Sequence, residues 1–319
     1  MSTEQTESTS NSAPNREQIG SGEQDPTAQK PPLLWVQTLI FSLTFLIAVI
    51  GVPWYGIAVG FEWSAWIAFI VYYFATGMAI TAGYHRLWSH NSYKAHPILR
   101  TMLALLGAGA IQNSIMIWAS GHREHHRHVD DNHQDPYSAQ RGLWFSHMGW
   151  MLRDYASGVV DMKNIPDIAR DPIARWQHDN YLALVLLMNF GPPLLMGFIT
   201  GDYLANFLLI GVLRLVVTHH CTFFINSLAH YWGSQPYSDS CTARDNTLLA
   251  LLTYGEGYHN YHHCFQTDYR NGIRWWHYDP TKWLIFTSSL AGLASDLRRI
   301  PRETVNAARE EMLKKMSSA

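Results

Sequence analysis

The chain has 319 residues, 47% of them hydrophobic and 13% aromatic, and a net charge of −2; that balance, without a basic stripe interleaved with aromatics, excludes a nucleic-acid-binding protein. Three cysteines, Cys221, Cys241 and Cys264, with no Cys-x-x-Cys pair, exclude a disulfide framework and a built-in iron–sulfur cluster. Mean hydropathy is only −0.11, because apolar stretches alternate with strongly polar ones, the pattern of a membrane protein with a large wet part.

Residues 1–30 are rich in Ser, Thr, Gln, Glu and Asn, contain no apolar run, and read as a disordered cytosolic tail. With one Arg and one Lys and no apolar core, the tail resembles neither a cleavable signal nor a transit peptide. Residues 31–319 form the rest. Uncharged apolar segments at about 33–52 and 63–82 are long enough to cross the ~30 Å hydrocarbon layer, with a turn near Pro53 to Glu62. HRLWSH comes next, with His85 and His90. A further apolar stretch, Pro97 to Ala119, approaches membrane length but is predicted to be an interfacial or buried helix, because a fifth span would put the next motif on the opposite face. That motif is HREHH, with His122, His125 and His126. Spans three and four are predicted at about 181–200 and 203–225, turning at Gly201–Asp202, and NSLAH, with His230, adjoins the fourth directly. Near the C-terminal end come HNYHH, with His259, His262 and His263, then Trp275, Trp276 and Trp283, and a basic helix from about Glu303 to Lys315 that reads as a lid on lipid or an ordinary packing helix.

Lys and Arg orient these spans. Neither hairpin turn carries one, whereas 83–180 holds ten and the region after His230 another ten. The positive-inside rule therefore predicts both termini and both polar regions, 83–180 and 226–319, in the cytosol. The expected fold is all-α and integral to the membrane: four transmembrane helices in two hairpins beneath a histidine-rich cytosolic cap. Arg214, mid-way along the fourth span, should face the interior, with Glu62 or backbone carbonyls as partners.

Positions i, i+3 and i+4 share one helical face, so each HxxHH presents three imidazoles in one direction. With 17 histidines in the chain, one accidental HxxHH has a likelihood of roughly 0.05, and two are not coincidence. His85 and His90 lie about 140° apart on an ideal α-helix and can act together only if the backbone breaks between them. Nine imidazoles exceed what one ion holds, so two ions with four or five ligands each are expected; ligand type leaves Zn, Cu, Fe and Ni open. His96, His128, His133, His147, His178, His219, His220 and His277 read as structural, although His219 and His220 lie inside a predicted span, where ionisable groups are often functional.

TAGYHRLWSH, HREHHRHVDDNHQDPYSAQRGLWFSHMGW, INSLAHYWG and GEGYHNYHHCFQTDYRNGIRWWHYDPTKW together resemble the membrane-bound fatty acyl desaturases of the Δ9 stearoyl-CoA type, over about 80 to 290. The resemblance implies two irons: one held by His85, His90, His122, His126 and His262, the other by His125, His230, His259 and His263, with Asn226 reaching it through a water. Alone, Asn226 would read as a helix C-cap. O2-dependent insertion of a cis double bond into a saturated acyl chain is implied, at Δ9 and on acyl-CoA, with electrons from a separate ferredoxin, rubredoxin or cytochrome-type donor and its reductase. Gln112, Trp118 and Thr222 match positions lining the family's acyl tunnel. Each also has an ordinary reading: a polar-face residue, an interfacial anchor, and a hydroxyl bonded to its own helix. Phe223 stands where animal members have Trp. Arg153, followed by Asp154, stands where animal acyl-CoA enzymes place an Arg-Lys pair for the CoA phosphates, so an acyl-lipid or acyl-carrier substrate is the alternative. Competing functions are a membrane di-iron hydroxylase or alkane monooxygenase, and a membrane metal transporter, whose ligands would lie at mid-membrane. A bacterial inner membrane is the expected location, the endoplasmic reticulum the alternative.

Overall fold

The computed structural model describes residues 30–318, so the expected disordered tail lies outside the described residues except for Lys30. Met1–Pro31 and Pro32–Ala319 are separate units, and the helices of the described residues all belong to the second. Helices α1 (Trp35–Ala58) and α2 (Trp63–Ser89) form a first hairpin; α3 (Pro97–Ala108) and α4 (Ile115–His128) form a shorter pair. Helix α5 (Pro172–Asp179) leads into a second long hairpin, α6 (Tyr181–Thr200) and α7 (Tyr203–Tyr231). Helices α8 (His259–Cys264), α9 (Pro280–Leu290) and α10 (Arg302–Ser318) complete the chain.

Four helices, α1, α2, α6 and α7, are long and apolar enough to cross a membrane, as the hydropathy pattern predicts. Their lengths are not equal. At 27 and 29 residues, α2 and α7 extend about 40 Å, against a ~30 Å apolar layer, so both run on beyond it. These extensions carry His85 and His230. Most of α1 is lipid-facing surface, with Val36, Leu39, Leu43, Leu46 and Ile50 exposed, whereas α7 is the most buried of the four. Gly201, at φ 80°, ends α6 in the left-handed conformation that only glycine adopts without strain, and Asp202 then caps Ala205 N–H at 2.9 Å. The Tyr55 hydroxyl donates to Asp202, tying the tips of the two hairpins together.

The stretch expected to be one helix, Pro97 to Ala119, is two, because the chain reverses at Gly109–Ser114. It does not span. Within the turn, Ile111 (φ 49°) and Asn113 (φ 71°) take left-handed conformations that a β-branched residue adopts only under constraint. The constraint comes from α7. Arg214 donates to Gly109 O at 2.6 Å and His219 to Ala110 O at 2.8 Å. Arg214 lies 11 residues into α7, about 16 Å along it and thus near the middle of the apolar layer. Helices α3 and α4 are therefore a re-entrant pair, whose irregular backbone is tolerated because protein surrounds it. Arg214 also donates to Asn189 Oδ1 at 2.6 Å and Ile210 O at 3.0 Å. Carbonyls are its partners, as expected, joined by Asn189; Glu62 takes no part.

A two-stranded antiparallel ladder, Lys94–Ala95 against Ala294–Ser295, pins the chain leaving α2 to the chain leaving α9. The largest buried cluster lies between the re-entrant pair, the end of α2 and α9, and includes Tyr84, Trp88, Leu103, Ile115, Ile165 and Ile285. That core fixes where the histidine-bearing segments stand.

Candidate metal centre

His85 lies in a π-helical segment, Ala79–Ser89, at the end of α2. In a π-turn the N–H bonds five residues back rather than four, and His90 N–H donates to His85 O at 3.1 Å. One widened turn thus brings residues five apart onto one side. The expected break between the two histidines is instead this change of helical pitch, followed by helix termination at Ser89. On α4, His122 and His126 share one side and His125 the next; on α8, His262 faces one way, His259 and His263 the other.

The histidines converge as two groups. His85, His90, His122, His126 and His262 form the first, and His125, His230, His259 and His263 the second; within each group the ligand atoms all lie within 4.8 Å of one another. In the first, Nε2 atoms approach at 3.0 Å (His85 and His262), 2.8 Å (His90 and His122) and 3.0 Å (His126 and His262). In the second, His259 Nε2 lies 3.1 Å from both His230 and His263. A metal–imidazole bond of about 2.1 Å would set ligands at right angles about 3.0 Å apart, so these spacings fit the edges of coordination polyhedra. The groups meet where His126 and His263 stack at 4.4 Å.

The opposite ring nitrogens are held by protein. His85 Nδ1 faces Glu256 Oε2 at 3.0 Å, His125 Nδ1 faces Asp135 Oδ1 at 2.9 Å, and His230 Nδ1 faces Thr242 Oγ1 at 2.8 Å. Such partners fix the tautomer that leaves Nε2 free to bind a metal. Glu256 is itself clamped: Arg86 donates to it at 2.8 Å and contacts Asp279 at 3.1 Å, all three side chains being buried. Burial pushes the Glu256 carboxyl up, but Arg86 and His85 outweigh it and hold it down at about 2. His90, His122, His126, His259, His262 and His263 are all driven well below the ordinary imidazole range, chiefly by burial and then by one another. Neutral imidazoles with their Nε2 lone pairs turned inward make a metal-binding centre, not a hydrogen-bonded core. Sequence reasoning missed the partners behind the ligands, Glu256, Asp135 and Thr242; carboxylates three residues before HNYHH and nine after His126 were the available signal.

The remaining expected site residues lie outside both groups. Gln112, in the re-entrant turn, donates to Thr222 Oγ1 at 2.9 Å, and its Oε1 is buried without a partner. Thr222 also bonds its own helix, to Thr218 O at 3.2 Å. Trp118 stacks on His122 at 4.8 Å and sets its edge against His85. Thr222 lies eight residues before His230, about 12 Å down α7. Phe223 is buried on the other side of α7, against Phe41, His219 and His147. Asn226 is half-buried, one turn before His230, and its amide has no hydrogen-bond partner among the described residues. Arg153 lies away from the histidines, its backbone paired antiparallel with Leu33 at the start of α1. Of the other histidines, His219 bonds Ala110 O, His147 lies between His220 and Ser227, and His178 bonds Ser114. None of these enters either group.

A family profile described as fatty acid desaturase matches residues 61–291. Acyl-CoA desaturase 1 of Saccharomyces cerevisiae is 44% identical over 270 residues, 82% of this chain and 53% of that protein. Stearoyl-CoA desaturase 5 of Homo sapiens is 35% identical over 297 residues, 90% and 88% of the two chains. The sn-2 palmitoyl-lipid 9-desaturase of Nostoc sp. is 35% identical over 277 residues, 85% and 92%. The chain spans about half the length of the yeast relative and most of the other two.

Proposed function

Because the chain belongs to the fatty acid desaturase family, we propose that it inserts a cis double bond at Δ9 of a saturated acyl chain, with O2 as oxidant and acyl-CoA as substrate. The convergence of nine imidazoles in groups of five and four carries this reading. One iron is assigned to His85, His90, His122, His126 and His262, and a second to His125, His230, His259 and His263, with Asn226 reaching the second through a water. Bound there and supplied with two electrons per turnover by a separate ferredoxin, rubredoxin or cytochrome-type donor, a pair of irons would supply, from O2, the oxidant needed to take hydrogen from an unactivated methylene.

The chain's own residues then have three tasks. Glu256, Asp135 and Thr242 hold His85, His125 and His230 so that their Nε2 atoms face inward. The Gln112–Thr222 pair and Trp118 shape an acyl path between the re-entrant pair and α7, and place two adjacent methylenes beneath the histidines. Burial excludes water that would otherwise compete for the oxidant. No general base or nucleophile is required, and none is assigned. Arg153 is assigned to the CoA phosphates. The chain is placed in a bacterial inner membrane, with the cap, comprising 83–180 and 226–319, on the cytosolic face and the re-entrant turn dipping from it into the bilayer.

Expression in a host unable to make monounsaturated fatty acids, followed by chromatography of its lipids, tests the reading. Restored Δ9 cis products are expected. Hydroxylated products would assign the chain to hydroxylation instead, and unsaturation appearing only in intact phospholipid would replace acyl-CoA by an acyl-lipid.

A further inference from the structure

Behind α8, on the side away from the histidines, is an open cavity of about 610 Å³ between α9, α10 and the loop joining α8 to α9. Its wall contains no Asp or Glu but several cations. Two are engaged internally: Arg270 pairs with Asp268 at 2.8 Å, and Lys282 donates its N–H groups to the carbonyls of Gly272, Arg274 and His277. Arg274, Arg299, Arg302 and Arg309 have no carboxylate partner among the described residues. Four guanidinium groups around one cavity present the donors and positive charge that suit an anionic oxygen ligand.

The rim says which anion. Trp276, Trp283 and Phe286 line the cavity and remain exposed, and Trp283, Phe286 and Leu290 form an outward apolar stripe along α9. That helix is anchored to a span, because Thr281 at its start bonds Thr81 of α2 at 2.6 Å. Thr81 lies 18 residues into α2, about 27 Å along it and thus where the helix leaves a ~30 Å apolar layer. The cavity therefore opens at the level of lipid head groups, with interfacial tryptophans at its mouth and cations within.

We propose that this cavity binds the head-group phosphate of an anionic phospholipid whose acyl chains lie along Trp283, Phe286 and Leu290. The site is separate from the acyl path beneath the histidines, and the proposal rests on the four spans rather than on the desaturase reading.

The test uses the full-length, metal-loaded protein in bilayer discs of phosphatidylcholine with and without phosphatidylglycerol. Lipid retained after transfer to detergent is counted by mass spectrometry. Wild-type protein should retain phosphatidylglycerol selectively. The double variant Arg302→Gln/Arg309→Gln, which removes two exposed cations, should bind it about thirtyfold more weakly while keeping its metal content. Equal retention of the two lipids, or unchanged retention in the variant, would overturn the proposal. So would displacement by millimolar inorganic phosphate without lipid, which would make this a free-phosphate site, or a variant defect confined to electron transfer from an acidic donor protein. Trp283→Ser should weaken lipid retention without affecting any binding of inorganic phosphate, and so separates the two sources.

Discussion

His85 is held more tightly than the other histidines of its group, and the reason lies one residue away. Arg86 grips one oxygen of Glu256, whose other oxygen accepts from His85. Glu256→Gln keeps the shape but weakens this grip, and is expected to cost about 10–100-fold in iron affinity or turnover, measured as iron per chain after dialysis against chelator. Replacing Arg86 by Leu leaves Glu256 and Asp279 buried and unpaired, and should destabilise the fold by about 3–5 kcal/mol in thermal or denaturant unfolding. His125→Ala should lose iron and activity together. Full activity in that variant would remove the assignment. The depressed histidines also predict a pH dependence. Unfolded imidazoles take up protons near pH 6.5, whereas the six lowered ones in the fold stay neutral. Below about pH 6.5 the unfolded state of the metal-free protein therefore binds more protons, and stability falls with pH; above it the contribution is complete. A melting temperature independent of pH between about 5 and 7 would contradict this. At this scale spacing singled out the nine histidines and the family resemblance, not spacing, divided them, since each HxxHH splits between the two groups; Glu256, Asp135 and Thr242 were not legible, because burial decides which carboxylate or hydroxyl meets an imidazole.

Among the elements, the π-segment and the re-entrant pair are what hydropathy could not give. The 140° between His85 and His90 on an ideal helix signalled an irregularity, but whether the chain breaks or widens depends on packing against α3, α4 and α9. Removing Ala82 would deprive the segment of its extra residue and should turn His85 out of the group, with loss of iron at the first site. The apolar run at 97–119 has the composition of a span. Its division rests on the turn at Gly109–Ser114, held by Arg214 and His219; the order of the histidine motifs argued against a fifth span, but nothing in the sequence said where the run would turn. Gly107 makes the close packing possible: a Cβ there would meet Tyr84 at 2.4 Å, and the Tyr84 hydroxyl is fixed by Gln177. Gly107→Ala should therefore cost about 1–3 kcal/mol, and should lower activity by displacing the turn that carries Gln112.

For the whole molecule, the four spans and the gathering of the histidine motifs into one region were legible, because span lengths and the position of each motif beside a span are read directly from the sequence. The binding of metal should stiffen the entire assembly, since each group draws on three separate segments. Ions held at a hundred times their dissociation constant stabilise by about 2.7 kcal/mol per site. Chelation should then lower the melting temperature and expose the segments around α8 to protease, while leaving the spans resistant.

Helix α8 contributes to both groups, His262 to one and His259 and His263 to the other. Neither group is complete until this helix has left the ribosome, by which time all four spans have already been made. Biogenesis is thereby ordered: bilayer insertion comes first, and metal capture reports that the late polar segment has found its place. A nascent chain arrested before α8 would already hold its four spans but would lack ligands from both groups.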